Sequence, residues 1–112
     1  MINITEQKLG AIMVLAPEGP LVAEDADRFK DRAINLYNRS LGRCVVDASR
    51  IAFVDSKGLE TLVDINDHLQ QSGQALKLCA LNKTVREVLS LTELASMFEQ
   101  YEDVTTAVRS FL

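Results

Sequence analysis

The stretch CVVDASRIAFVDSKGLETLVDINDHL, residues 44–69, sets two periodicities on either side of a polar interruption. It opens with "CVVD", a short β-branched run of the kind buried on both faces of a sheet. From Leu59 the spacing is helical: Leu59, Leu62, Val63 and Leu69 form an apolar stripe, and Glu60, Thr61, Asp64, Asp67 and Gln71 take the other side. "QSG" at 71–73 stops that helix. Asp55, Ser56, Lys57 and Gly58 therefore fall where a strand feeds a helix. Such a unit is half of a crossover connection between parallel strands.

The same alternation of types continues outward. "INITEQKL" and "AIMVLA" flank Gly10 and read as two strands joined by a tight turn. "PEGP" at 17–20 breaks the pattern. Val22, Ala26, Phe29, Ala33, Leu36 and Tyr37 then recur at intervals of three and four, a helix ending near "NRSLG". On the far side, "ALKLCAL" reads as a central strand. Asn82 reads as the cap of a helix carrying Val85, Val88 and Leu89. "MFEQY" is a last short strand, and Asp103 caps a closing helix with Val104, Ala107, Val108 and Phe111 inward. The order β-β-α-β-α-β-α-β-α predicts an α/β fold, a mixed sheet with parallel pairs and helices packed on it, as one domain over 1–112.

Bulk properties narrow the function. The chain has 112 residues, 47% hydrophobic and 25% charged, with a net charge of −4. No basic cluster marks a nucleic-acid face, and no basic amphipathic helix marks a membrane surface. The longest apolar runs fall well short of the roughly 20 residues that span a bilayer, so no membrane insertion is expected. "MINITEQKLG" lacks a signal-peptide pattern, which points to the cytoplasm. Cys44 and Cys79 lie in apolar runs and read as buried reduced thiols. His68 has no ligand set near it, and no metal or cofactor is expected.

Several groupings yield to plainer readings. Asp64, Asp67 and His68 share a polar helix side and read as a solvated face. Glu18, Glu24, Asp25 and Asp27 suit an acidic helix start, where carboxylates meet the positive end of the dipole. Ser56 and Lys57 are adjacent and do not face each other as nucleophile and base would. "DSKG" lacks the glycine spacing of a phosphate-binding loop. Catalysis by this chain is not expected. At the junction, Asp55 or Ser56 can accept from the free N–H groups of the first helical turn, and Gly58 permits a tight turn or a close approach. A serine held there is either a cap or a phosphate acceptor, since a helix N-terminus favours an anion.

"CVVDASRIAFVDSKGLETL" resembles the signature of STAS domains of the bacterial anti-sigma factor antagonist type. In that family a strand ending in Asp is followed by a small apolar segment and Asp-Ser-Ser/Thr-Gly-Leu opening a helix. Asp47, Asp55, Ser56, Gly58 and Leu59 match position by position. "QALKLCALNKTVREVLSLTELASMFEQYEDVTTAV" is similar to the family's remaining elements, so the resemblance spans nearly the whole chain. It implies a STAS-like sheet and a switch rather than an enzyme. Ser56 would be phosphorylated by a partner that is both anti-sigma factor and serine kinase. The unphosphorylated form would bind that partner and free a sigma factor, and a PPM-type phosphatase would reset it. The partner-binding edge implied is Asp55, Ser56, Lys57, Gly58, Leu59 and Glu60, with Gly19 and Pro20 from the preceding loop. Oligomeric state is left open between monomer and dimer. The alternative is a non-switching STAS adaptor of a transporter or signalling complex, with Ser56 only a cap. Lys57 stands where the family has a second Ser/Thr, and Pro20 and Val22 stand where it has polar residues.

Overall fold

The computed structural model describes residues 2–112. Its elements are β1 (Asn3–Leu9), β2 (Ile12–Glu18), α1 (Ala23–Arg39), β3 (Cys44–Asp47), α2 (Ser56–Gln70), β4 (Lys77–Cys79), α3 (Lys83–Leu91), a 3-10 turn (Ala95–Met97), β5 (Glu99–Tyr101) and α4 (Val104–Arg109). This is the mixed α/β order expected from the sequence. The five strands lie side by side in chain order; β1 runs antiparallel to β2 and every later neighbour is parallel. Gly10, at φ +63°, makes the tight turn between the first two strands.

Alternation divides the sheet into two apolar faces. Leu15, Val46 and Leu78 point into the larger core, which α1, α2 and α3 cover with Phe29, Leu36, Leu62, Ile65, Val85 and Leu89. Val14, Val45 and Cys79 point the other way, where α4 supplies Ala107, Val104 and Val108 and the turn after it supplies Phe111. The "CVVD" run is thus buried on both faces. Cys44 and Cys79 are free and buried, and burial pushes both thiols up to about 12. At neutral pH they stay protonated and unreactive.

Three expectations shift in detail. β2 continues through Pro17 and Glu18 instead of breaking at "PEGP". The β2–β3 ladder has already ended at Leu15, so the missing N–H of Pro17 breaks no bond to β3. Thr61, expected on the solvent side, is buried, and so is Asn66. The inward face of α2 runs Gly58, Thr61, Leu62, Ile65, Asn66 and Leu69, because the helix packs against α1 as well as the main core. Asn66 Oδ1 earns its buried place by accepting from Leu76 N at 2.8 Å, which steers the chain into β4. "MFEQY" contributes only Glu99–Tyr101 to the sheet, since Met97 closes the 3-10 turn and Phe98 enters the core.

Asn82 and Asp103 are both caps, accepting from Val85 N at 2.8 Å and Thr106 N at 2.7 Å. The bond from Thr106 is the main cause holding the Asp103 carboxyl below its usual range. Asn82 does more, since its Nδ2 donates to Ile51 O at 2.7 Å and Ala52 O at 3.3 Å and so ties α3 to the loop that leads into α2. Asn82→Ala removes the cap and strands the Ile51 carbonyl together. The expected loss is about 2 kcal/mol in urea unfolding, more than a cap alone. Asn82→Asp keeps the cap but sets a carboxylate oxygen where Nδ2 met the Ile51 and Ala52 carbonyls, so it should lose stability too.

Candidate functional site

Two loops meet at the C-terminal ends of β2 and β3, the edge where parallel sheets hold their sites. Residues 19–22 lead into α1 and residues 48–55 lead into α2. Backbone bonds knit them together: Gly19 N to Arg50 O at 2.9 Å, Ala52 N to Gly19 O at 3.3 Å, and Leu21 N to Phe53 O at 2.9 Å. Leu21 and Val54 form an isolated parallel bridge, and Asp55 N reaches Leu21 O at 3.4 Å. Fully buried Leu21 and Ile51 pin the pair from beneath.

Asp55 caps α2, its Oδ1 accepting from Gly58 N at 2.7 Å. Its Oδ2 accepts from Ala23 N at 3.1 Å, the first residue of α1. That second bond answers a local deficiency. Val22 stands at the N-cap of α1 and has no side chain to offer the free N–H groups. Ala23 itself sits at φ +48°, a left-handed conformation that a non-glycine residue adopts only when its surroundings hold it. One carboxylate therefore fixes the starts of two helices.

Gly58 is buried where the loops cross. A Cβ there would collide with the Leu21 carbonyl oxygen and come 3.2 Å from Val54 Cβ. Its φ is ordinary, so the requirement is close approach rather than backbone freedom. Leu59 is half-buried and packs against the main core.

Ser56 is the first residue of α2 and is exposed. The cap belongs to Asp55, so the reading of Ser56 as the cap is not what the structure holds. Glu60, one turn along, is exposed too. Lys57 leans toward α1, with Nζ 3.3 Å from Asp27 and 3.9 Å from Glu60. The hydrogen bond to Asp27 is the chief reason its ammonium titrates above the usual lysine range, and the charge of Glu60 adds to it. A second cross-helix pair, Lys30 with Asp64 at 3.4 Å, lies further down the same seam.

The eight residues expected at a partner-binding edge are brought together by the two knitted loops and the first turn of α2. Ser56, Glu60 and Pro20 present exposed surface, Asp55, Lys57, Leu59 and Gly19 partial surface, and Gly58 none. Sequence reasoning missed Phe53, which is 47% exposed beside the junction, and Asp27, which it placed in a solvated helix start. An apolar residue directly before a polar junction was a signal for Phe53. Nothing local signals Asp27, whose role depends on α2. A groove of about 580 Å³ lies at the opposite end of the sheet among Gly42, Gln70, Gln74, Lys77, Glu99 and Phe111. Among the described residues no three metal-ligating side chains come together, and no helix is long and apolar enough to cross a membrane.

The model of the STAS domain family matches residues 3–107. The chain belongs to the STAS domain family. Among its STAS relatives is a protein of Bordetella bronchiseptica named "Putative anti-sigma factor antagonist BtrV", 23% identical over 109 residues, covering 97% of this chain and 94% of that one. The crystal structure of a Thermotoga maritima protein described as a "putative anti-sigma factor antagonist" superposes with a TM-score of 0.85 at 25% identity, covering 96% and 92% of the two chains. The STAS fold is shared with the Bacillus cell fate determinant SpoIIAA, solved in its phosphorylated form, at a TM-score of 0.71 and 14% identity over 98% of this chain and all of that one.

Proposed function

We propose that this STAS chain is a phosphorylation-regulated anti-sigma factor antagonist. With Ser56 as a free hydroxyl, the edge built from residues 19–22 and 52–60 docks on an anti-sigma factor that is also a serine kinase, and a sigma factor is released. A phosphate on Ser56 ends the docking, and a PPM-type phosphatase restores it. The protein works by binding, in the cytoplasm.

One observation carries this reading. At the junction, Asp55 does the capping and Gly58 the packing, which leaves the exposed Ser56 hydroxyl without a structural task. A phosphate there adds about −1.5 to −2 of charge at pH 7, at a helix end whose dipole favours an anion. The fold survives and the docking surface changes, as a reversible switch requires. A relative solved in a phosphorylated form lends support.

The test is to incubate the protein with an anti-sigma kinase encoded beside it and ATP, map the modification by mass spectrometry, and follow the complex by size-exclusion chromatography. One phosphate on Ser56 and loss of the complex are expected. Labelling at another residue, or a complex that persists after full modification, contradicts the proposal.

A further inference from the structure

We propose that Lys57 is a charge relay between Ser56 and α1: it rests on Asp27 while Ser56 is a free hydroxyl and turns to the phosphate once Ser56 is modified. The inference rests on the phosphorylation reading of Ser56 and deepens it, because the modification is then felt on α1 as well as on α2.

The geometry sets Lys57 between carboxylates on the two helices. Lys57 Nζ stands 3.3 Å from Asp27 on α1 and 3.9 Å from Glu60 on α2. Glu60 is four residues beyond Ser56, on the same helix face. An ammonium held near Glu60 is therefore on the side of α2 where a phosphate on Ser56 would stand. Adjacent helical positions do not face each other, but a lysine's four-carbon stem lets its charge swing to a neighbour at little cost. The stem is not locked in place, with 38% of the side chain exposed.

Charge decides which station wins. Asp27 offers a single carboxylate, and 53% of its side chain is exposed to solvent that screens the pair. A phosphate on the next residue carries about twice that charge and is tethered within reach, so the ammonium moves to it. The phosphate also needs a cation there. Without Lys57 it would face Glu60, of like charge, one turn away. Once Lys57 leaves, Asp27 stands as an unpaired carboxylate on α1. A docked partner then meets a second change one helix away from the modified serine. A serine or threonine at position 57 could not produce it.

The measurement uses phosphoserine incorporated genetically at position 56, so no kinase is required. The second pKa of the phosphate is read by phosphorus NMR in the otherwise wild-type protein and in Lys57→Met, and the Asp27 side-chain carboxyl carbon is followed in both. The phosphate is expected to titrate about half a pH unit higher in Lys57→Met, the size of one exposed ion pair. The Asp27 carboxyl should shift on modification with Lys57 present and stay still with Met. A phosphate pKa indifferent to Lys57→Met, or an Asp27 carboxyl indifferent to the phosphate, overturns the relay. Failure of any kinase to label Ser56 would instead bear on the switch reading and leave this measurement standing.

Discussion

Gly58→Ala should melt roughly 10 °C below the wild-type protein. Two effects oppose each other at this position. Alanine is a better helix former than glycine by about 1 kcal/mol, and in an open first turn that gain would dominate. Here the added methyl would meet the Leu21 carbonyl oxygen, a backbone atom fixed by its own bridge to Val54. The loop must move, or α2 must, and overpacking of this kind costs about 1–3 kcal/mol even against side chains that can give. We expect a net loss of about 2–3 kcal/mol, and a domain of this size loses about 4 °C for each. Differential scanning calorimetry checks it. A melting point equal to or above wild type would mean that residues 19–22 yield freely, and the account of the knitted loops would be wrong.

The second large effect is on binding and leaves stability alone. Ser56→Ala should bind an anti-sigma kinase within about threefold of wild type and ignore ATP. Ser56→Asp should bind at least about tenfold more weakly, about 1.4 kcal/mol. Aspartate carries one charge where phosphate carries nearly two, so the variant is a partial mimic and a tenfold loss is a lower bound on the switch. Both variants should unfold within about 0.5 kcal/mol of wild type, because Ser56 is exposed and carries no cap. Isothermal titration calorimetry beside thermal melts separates the two readouts. Equal affinities for the alanine and aspartate variants would sink the switch.

Much of this edge was legible in the sequence, for reasons that can be traced residue by residue. Strand type and order followed from local pattern: "CVVD" is too apolar and too short to be anything but a doubly buried strand, and both Val45 and Val46 are fully buried. Asn82 and Asp103 were readable as caps because capping is a matter of three residues. Pattern alone failed wherever a third element intervened. Thr61 follows the polar phase of α2 and is nonetheless buried, on the side where Lys57 and Asp64 pair with α1. Pro17 reads as a breaker, yet it stays in β2, paired with Ile4 of β1, because the ladder to β3 has already ended at Leu15. At the site, the sequence singled out Asp55 and Ser56 but left the cap to either. The structure divides the work, and the reason lies 32 residues away at Ala23, whose N–H gives the second oxygen of Asp55 its partner. Lys57 was readable as a departure and Asp27 was not readable as its partner, since that pair exists only when α1 and α2 lie side by side.

The seam between residues 19–22 and 50–55 has a thermodynamic consequence for whatever docks there. A partner that meets a mobile loop must first pay for ordering it, at about 1–2 kcal/mol of backbone entropy for each residue fixed. These residues are already hydrogen-bonded to one another and anchored by Leu21 and Ile51. That cost is met when the chain folds, so an encounter need only match shapes. Association should then be a single bimolecular step whose rate rises in proportion to partner concentration, with no slower rearrangement behind it.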